Sequence, residues 1–241
     1  MSGIARGRAP GALIRILGVT VLRILVLGIM ACATGSIRAQ TSRPANSSST
    51  SSKQVQKSAP GGASTLDFGA VSAGVYRNPT FGFNCKIPAG WVLRTEEMNA
   101  RGEEGAKTDA GKSGRVLLAA FSRPPEARAE DVNASILIAA ESASAYPGLK
   151  EAAQYFGPVG EVAKAQGLEV VEEPYEFVMG TKTVVRGDFK KDVGSRVMRQ
   201  STLVVLARGY AVSFTFIGGS EDEVEELVQG LSFGVGGKAA R

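Results

Sequence analysis

The stretch from Arg196 to Leu231 constrains the fold most, because its residues admit one local reading: strand, tight turn, strand, capped helix. Arg196 to Ala207 is rich in Val and Leu, and Arg208-Gly209 is a link short enough to demand an antiparallel hairpin, with Gly taking the left-handed conformation. Tyr210, Val212, Phe214 and Phe216 then alternate with Ala211, Ser213 and Thr215, which predicts a strand with one core face. Gly218 and Gly219 turn the chain. Ser220 and Glu223 have the spacing of a capping box, and Val224, Leu227, Val228 and Leu231 recur at helical spacing.

The remaining chain supplies more strands and one more helix. Phe81 to Ile87 alternates so that Phe81, Phe83, Cys85 and Ile87 share a face, and it is bracketed by turns at Asn78-Pro79 and Pro88-Ala89-Gly90 before Trp91, the only tryptophan. Val116 to Phe121 and Ser135 to Ala140 read as continuous apolar strands separated by Pro124 and Pro125. Leu149, Ala152, Ala153 and Phe156 share a helical face, interrupted at Gly157-Pro158 and continued by Val159, Val162 and Ala163 to Gln166, with Gly167 ending the helix. Val170 to Met179 and Lys182 to Phe189 pair as a hairpin around Gly180-Thr181, and a turn from Lys190 to Ser195 leads on. This order predicts an α+β fold, a mostly antiparallel sheet sandwiched by helices, within residues 67–234.

The ends of the chain differ in composition. Residues 1–39 carry five Arg and no acid around an apolar run from Ile24 to Ala33, which reads as a signal peptide with a cut after Ala39. Two alternatives stay open: retention of Ile16 to Ala33 as a membrane anchor, and lipid attachment at Cys32, where Ile29, Met30 and Ala31 loosely resemble a lipobox. Residues 40–66, with eight Ser and three Thr, predict a disordered linker, and 235–241 a flexible tail. Without the leader, 23 bases face 23 acids. The high isoelectric point therefore belongs to the leader, and nucleic-acid binding loses its compositional support. The expected location is exported, periplasmic or extracellular, near a membrane.

Chemistry-bearing patterns are sparse. The chain has no histidine, which removes the usual general base, metal ligand and Ser-His or Cys-His pair. Cys85 alone survives loss of the leader and sits on an apolar face, which marks it as structural. Gly105 to Ser113, GAKTDAGKS, has the residues of a phosphate-binding loop but Ala106 where a glycine is needed, and it precedes a strand instead of a helix. Glu172, Glu173 and Glu176 cluster near Pro174, with Glu172 and Glu176 expected on one face as a solvated edge. The acids at the Gly218-Gly219 turn cap a helix instead of admitting an anion. Arg186-Gly187-Asp188 falls inside a strand. These patterns predict no enzyme, cofactor or metal site. The segment from Thr95 to Arg115, with five acids, four bases and four Gly, reads as a mobile charged loop. It presents Glu96, Glu97, Arg101, Lys107, Lys112 and Arg115 as the partner-binding surface.

Two runs carry a family resemblance: YRNPTFGFNCKIPAGW from Tyr76 to Trp91 and GYAVSFTFIGGSEDEVEELVQGLSF from Gly209 to Phe233. They are similar to the PsbP-like group, which comprises extrinsic photosystem II subunits, exported bacterial lipoproteins and a Ran-binding import factor. Element order extends the resemblance over roughly residues 70 to 234. It implies an antiparallel sheet between helices, serving as a non-catalytic binding or assembly module; taken with the leader and linker, the expected partner is an envelope protein. With no histidine here, the histidine-dependent metal site of the plant subunits does not carry over. A small-molecule or lipid carrier with a pocket between sheet and helix is the alternative.

Overall fold

The computed structural model describes residues 68–105, 114–124 and 131–234. The leader with Cys32, the linker, the tail, the phosphate-loop-like run after Gly105, and Lys107 and Lys112 lie outside the described residues. In chain order the elements are β1 (Ala70–Ser72), β2 (Val75–Asn78), β3 (Phe83–Lys86), β4 (Val92–Leu93) and α1 (Thr95–Gly105). There follow β5 (Gly114–Phe121), β6 (Ser135–Ser142), short 3-10 turns at Ala143–Ala145 and Ala152–Tyr155, and α2 (Phe156–Ala165). The chain closes with β7 (Glu169–Met179), β8 (Lys182–Val193), β9 (Arg196–Ala207), β10 (Tyr210–Gly218), α3 (Glu221–Gln229) and β11 (Leu231–Phe233).

Two antiparallel sheets form. The larger has seven strands in the order β4-β5-β6-β10-β9-β8-β7, and the smaller has the order β1-β2-β3-β11. The mostly antiparallel α+β architecture expected from the sequence is therefore present. Each face of the large sheet has its own core. Val212, Phe214 and Phe216 of β10 pack with Phe83, Cys85, Leu231 and Phe233 of the small sheet and with Val224, Leu227 and Val228 of α3. Ala211 and Ile217 pack instead with Met98 of α1 and with Tyr155, Phe156, Val159 and Ala163. The expectation of a single core face on β10 is thus corrected: Ser213 and Thr215 are buried too, and the Thr215 hydroxyl lies 3.3 Å from that of Thr202.

The two sequence runs with a family resemblance are explained by local chemistry. The buried Asn78 holds its own turn, its side-chain oxygen accepting from the Phe81 N–H at 3.0 Å and its carbonyl accepting from the Gly82 N–H at 2.9 Å. Gly82 takes φ 72°, which favours glycine. Tyr76 donates its hydroxyl to the Phe68 carbonyl at 2.7 Å. Phe83 meets Phe214 edge-on, with centroids 4.8 Å apart. At the other end Arg208 and Gly209 both have positive φ, 52° and 78°, giving the tight hairpin turn that the two-residue link requires. The β10–β9 register then runs unbroken from Tyr210↔Ala207 to Gly218↔Arg199.

Five further expectations are corrected. Thr95 to Gly105 is a helix and not a loop: Glu96 and Glu97 sit favourably in its first turn, Glu97 pairs with Arg94 at 2.6 Å and Arg101 at 2.5 Å, and Met98 anchors it in the core. Gly157 and Pro158 do not interrupt a helix. They occupy the first turn of α2, where proline's missing N–H has no intrahelical partner to lose. The hairpin strand runs past Phe189 to Val193, so the turn is only Gly194-Ser195. Ser220 caps α3 as expected, accepting from the Glu223 N–H at 3.1 Å, but the returning carboxylate of Glu223 takes the Gly219 N–H at 2.7 Å instead of that of Ser220. Leu231 leaves the helix stripe altogether and pairs with Cys85 across β11 and β3.

Gly187 of β8 faces α2. A Cβ there would lie 2.5 Å from a ring carbon of the buried Phe156. Gly187→Ala is expected to cost ~1–3 kcal/mol by overpacking, measured by urea denaturation. The penalty shrinks in a Phe156→Leu background, and a penalty unchanged there contradicts this packing.

Candidate functional site

The sheet has two edges, and the chain treats them differently. On one side β4 covers only the end of β5, pairing at Val92↔Phe121 and Leu93↔Ala120. Beyond Leu93 the outward backbone groups of β5 are taken over by the start of α1. The Arg94 N–H donates to the Ala119 carbonyl at 2.9 Å, and the Ala119 N–H donates to the Thr95 hydroxyl at 3.0 Å. Asn99 then closes Val116 from both sides, accepting its N–H at 3.0 Å and donating to its carbonyl at 2.8 Å. Each bond satisfies a backbone group that a bare edge would leave to solvent or to another chain.

The described members of the expected partner surface therefore belong to an edge-closing helix. Glu97 holds Arg94 and Arg101, Glu96 and Arg101 are exposed on the outside of α1, and Arg115 lies in β5 opposite Ala140. The structure does not gather these residues into one site.

On the other side β7 pairs only with β8, and its outer edge carries no partner strand among the described residues. Val170, Val171, Tyr175 and Val178 are all exposed, Val178 to 73%. Glu169, Glu172, Glu173 and Glu176 line the same strand, and only Glu169 has an ion pair among the described residues, at 3.5 Å to Lys190. The edge is solvated, as expected. The expected facing is not found: register shifts on both sides of Glu172 bring it opposite Asp188, while Glu176 lies opposite Val185. Directly opposed residues share a face, so Glu172 and Glu176 are on opposite faces. Pro174, whose ring excludes a regular ladder position, sits in the second irregularity.

Arg186 donates through Nε to both oxygens of Asp188, at 3.0 and 2.9 Å, and through its terminal nitrogen to Glu225 of α3. The Arg-Gly-Asp run is thus a tie between sheet and helix, with both charged groups mostly buried. The Gly219 amide that an anion would need is held by Glu223.

A buried polar cluster was not foreseen. Glu141 ends β6 on the α2 side with 2% exposure, and the Tyr146 hydroxyl donates to its carboxylate. Tyr155 stacks edge-on against Tyr146 at 5.1 Å and brings its buried hydroxyl near the same group without a hydrogen bond of normal length. Burial first, and then the Glu141 charge, pushes both phenols well above their ordinary range, so they are protonated donors at neutral pH. The cluster can hold hydrogen bonds inside an apolar layer, but it offers no nucleophile. A signal existed in the sequence: an acid closing the apolar run SILIAAES, five residues before a tyrosine.

The comparisons with known proteins are of fold. No protein-family model and no curated protein matches the chain. The cyanobacterial PsbP of Synechocystis sp. PCC 6803 is 16% identical, covering 69% of this chain and 96% of its own, with a TM-score of 0.42. LpqN of Mycobacterium tuberculosis, described as involved in cell envelope biogenesis, is 12% identical over 62% of this chain and 82% of its own, with a TM-score of 0.35. The Saccharomyces cerevisiae Ran-binding protein Mog1p is 14% identical over 63% and 90%, also at 0.35. The chain is similar to these structures at the level of fold alone.

Cys85 is fully buried, and burial pushes its thiol from 9.0 up to about 12. The folded state holds this proton more tightly than the unfolded chain. Its contribution to stability is therefore complete below pH 9.0 and is lost as pH rises towards about 12. Denaturation of the wild type and Cys85→Ala across this range is expected to show the stability difference shrinking above pH 9. A difference that is flat or grows with pH contradicts the burial.

Proposed function

We propose that this chain is a non-catalytic binding or assembly module, exported and held near the cell envelope by its leader or a lipid anchor. One observation carries the reading: one edge of the large sheet is closed by Arg94, Thr95 and Asn99, whereas the β7 edge has no partner strand among the described residues and leaves Val170, Val171, Tyr175 and Val178 exposed. A chain that spends a helix on closing one edge and leaves apolar groups beside the other has a place for a partner at the second. The leader's basic start and apolar run support export. The non-catalytic reading is supported by the lack of histidine and by the placement of Glu172 and Glu176 on opposite faces, which removes that acid pair. The α1 surface with Glu96 and Arg101 is a second candidate contact, since both side chains point outward.

The carrier alternative draws on the Glu141, Tyr146 and Tyr155 cluster between sheet and helix. The Glu141 carboxylate is already engaged by the Tyr146 hydroxyl, and the two rings pack on each other, which favours a structural role.

Photocrosslinkable residues placed singly at Val178 and at Glu96, in full-length protein in its native envelope fraction, test the proposal. The expected result is one stoichiometric adduct from position 178. An adduct only from position 96 moves the partner surface to α1. No adduct from either position rejects the binding-module reading and brings the carrier alternative forward.

A further inference from the structure

Resting on the binding-module reading, we propose that the β7 edge takes an extended segment rich in Lys or Arg, added as an eighth strand along Tyr175 to Met179. The register locates the docking stretch. Between Glu169 and Pro174 the ladder is broken by the two irregularities, but from Tyr175↔Arg186 to Met179↔Lys182 it is regular. The link Gly180-Thr181 closes the hairpin on Met179 and Lys182, which in a two-residue turn exchange hydrogen bonds with each other. Alternation then turns the N–H and C=O groups of Glu176 and Val178 to the open edge.

Charge selects the occupant. Glu172, Glu173 and Glu176 have no ion pair among the described residues. The cations of the neighbouring strand are mostly engaged: Lys190 with Glu169, Lys191 with the Gln166 carbonyl at 2.6 Å, and Arg186 with Asp188 and Glu225. A second copy of β7 would bring like charges together and is disfavoured. A basic strand supplies the missing countercharge. Its Lys stems can lie over Val178 while their ammonium groups reach Glu176, and its alternate apolar side chains fall on the face of Tyr175 and Phe177, whose rings lie 6.1 Å apart.

The probe is a capped peptide of alternating lysine and valine, with a glutamate-valine peptide of equal length as control, titrated into the full chain. The lysine peptide is expected to bind, to perturb the backbone amide signals of Glu176 and Val178, and to weaken as salt is raised. Val178→Pro removes an outward N–H without touching the β8 ladder and is expected to lower affinity by about tenfold. The triple change E172Q, E173Q and E176Q is expected to reduce both affinity and its salt dependence. Should Val178→Pro fail to fold, the amide perturbation in the wild type decides the question. Absence of lysine-peptide binding, equal binding of the glutamate peptide, or binding that leaves the two amides unmoved overturns the proposal. A partner crosslinked at position 178 that contains no basic extended segment overturns it while leaving the proposed function standing. Loss of every adduct strikes the function itself.

Discussion

A strand buried on both faces needs a covering layer on each side, and β10 is such a strand. Its even-numbered aromatic and aliphatic side chains meet the small sheet and α3, and its Ala211 and Ile217 meet the layer of α1 and α2. Neither cover is optional, because removing one would expose a continuous apolar face of β5, β6, β10 and β9. Phe214 is central to the first cover, lying edge-on to both Phe83 and Phe233 at 4.8 and 5.5 Å. The small polar groups Thr202 and Thr215 are tolerated in the same strands because each hydroxyl finds the other.

Covering the faces leaves the edges. β5 and β7 are the long outer strands of the sheet, and each presents backbone groups that something must satisfy. The solution at β5 uses side chains where a strand would otherwise be needed: Asn99 matches both backbone polar groups of one residue, Val116, a fit that asparagine's paired donor and acceptor allow. At β7 the chain uses Pro174, two register irregularities and carboxylates, devices that blunt an edge without covering it. The uninterrupted stretch that remains lies between Pro174 and the hairpin turn. The proposed function and the strand-addition inference both follow from this asymmetry.

Much of the fold was legible because its determinants are local. The turn at Arg208-Gly209, the Ser220 cap and the alternation in Phe83 to Lys86, the part of the expected strand Phe81 to Ile87 that is extended, each depend on residues a few positions apart. What was not legible depends on distance. Thr95 to Gly105 reads as a loop by its glycines and charges, and is helical because Met98 and Asn99 find partners in the sheet, Asn99 at a separation of 17 residues. Leu231 fits a helical stripe by spacing, yet its pairing with Cys85 places it in a strand. The facing of Glu172 and Glu176 failed for a related reason, since an extra residue near Pro174 shifts the period of two and no count of spacing reveals it.

Amide hydrogen exchange on the isolated full-length protein tests the edge asymmetry most directly, since it reads each backbone group separately. The account predicts strong protection at Val116 and Ala119, whose N–H groups are held by Asn99 and Thr95, and fast exchange at Glu176 and Val178. Protection at Val178 matching that at Val116 would contradict it, because the β7 edge would then already be closed.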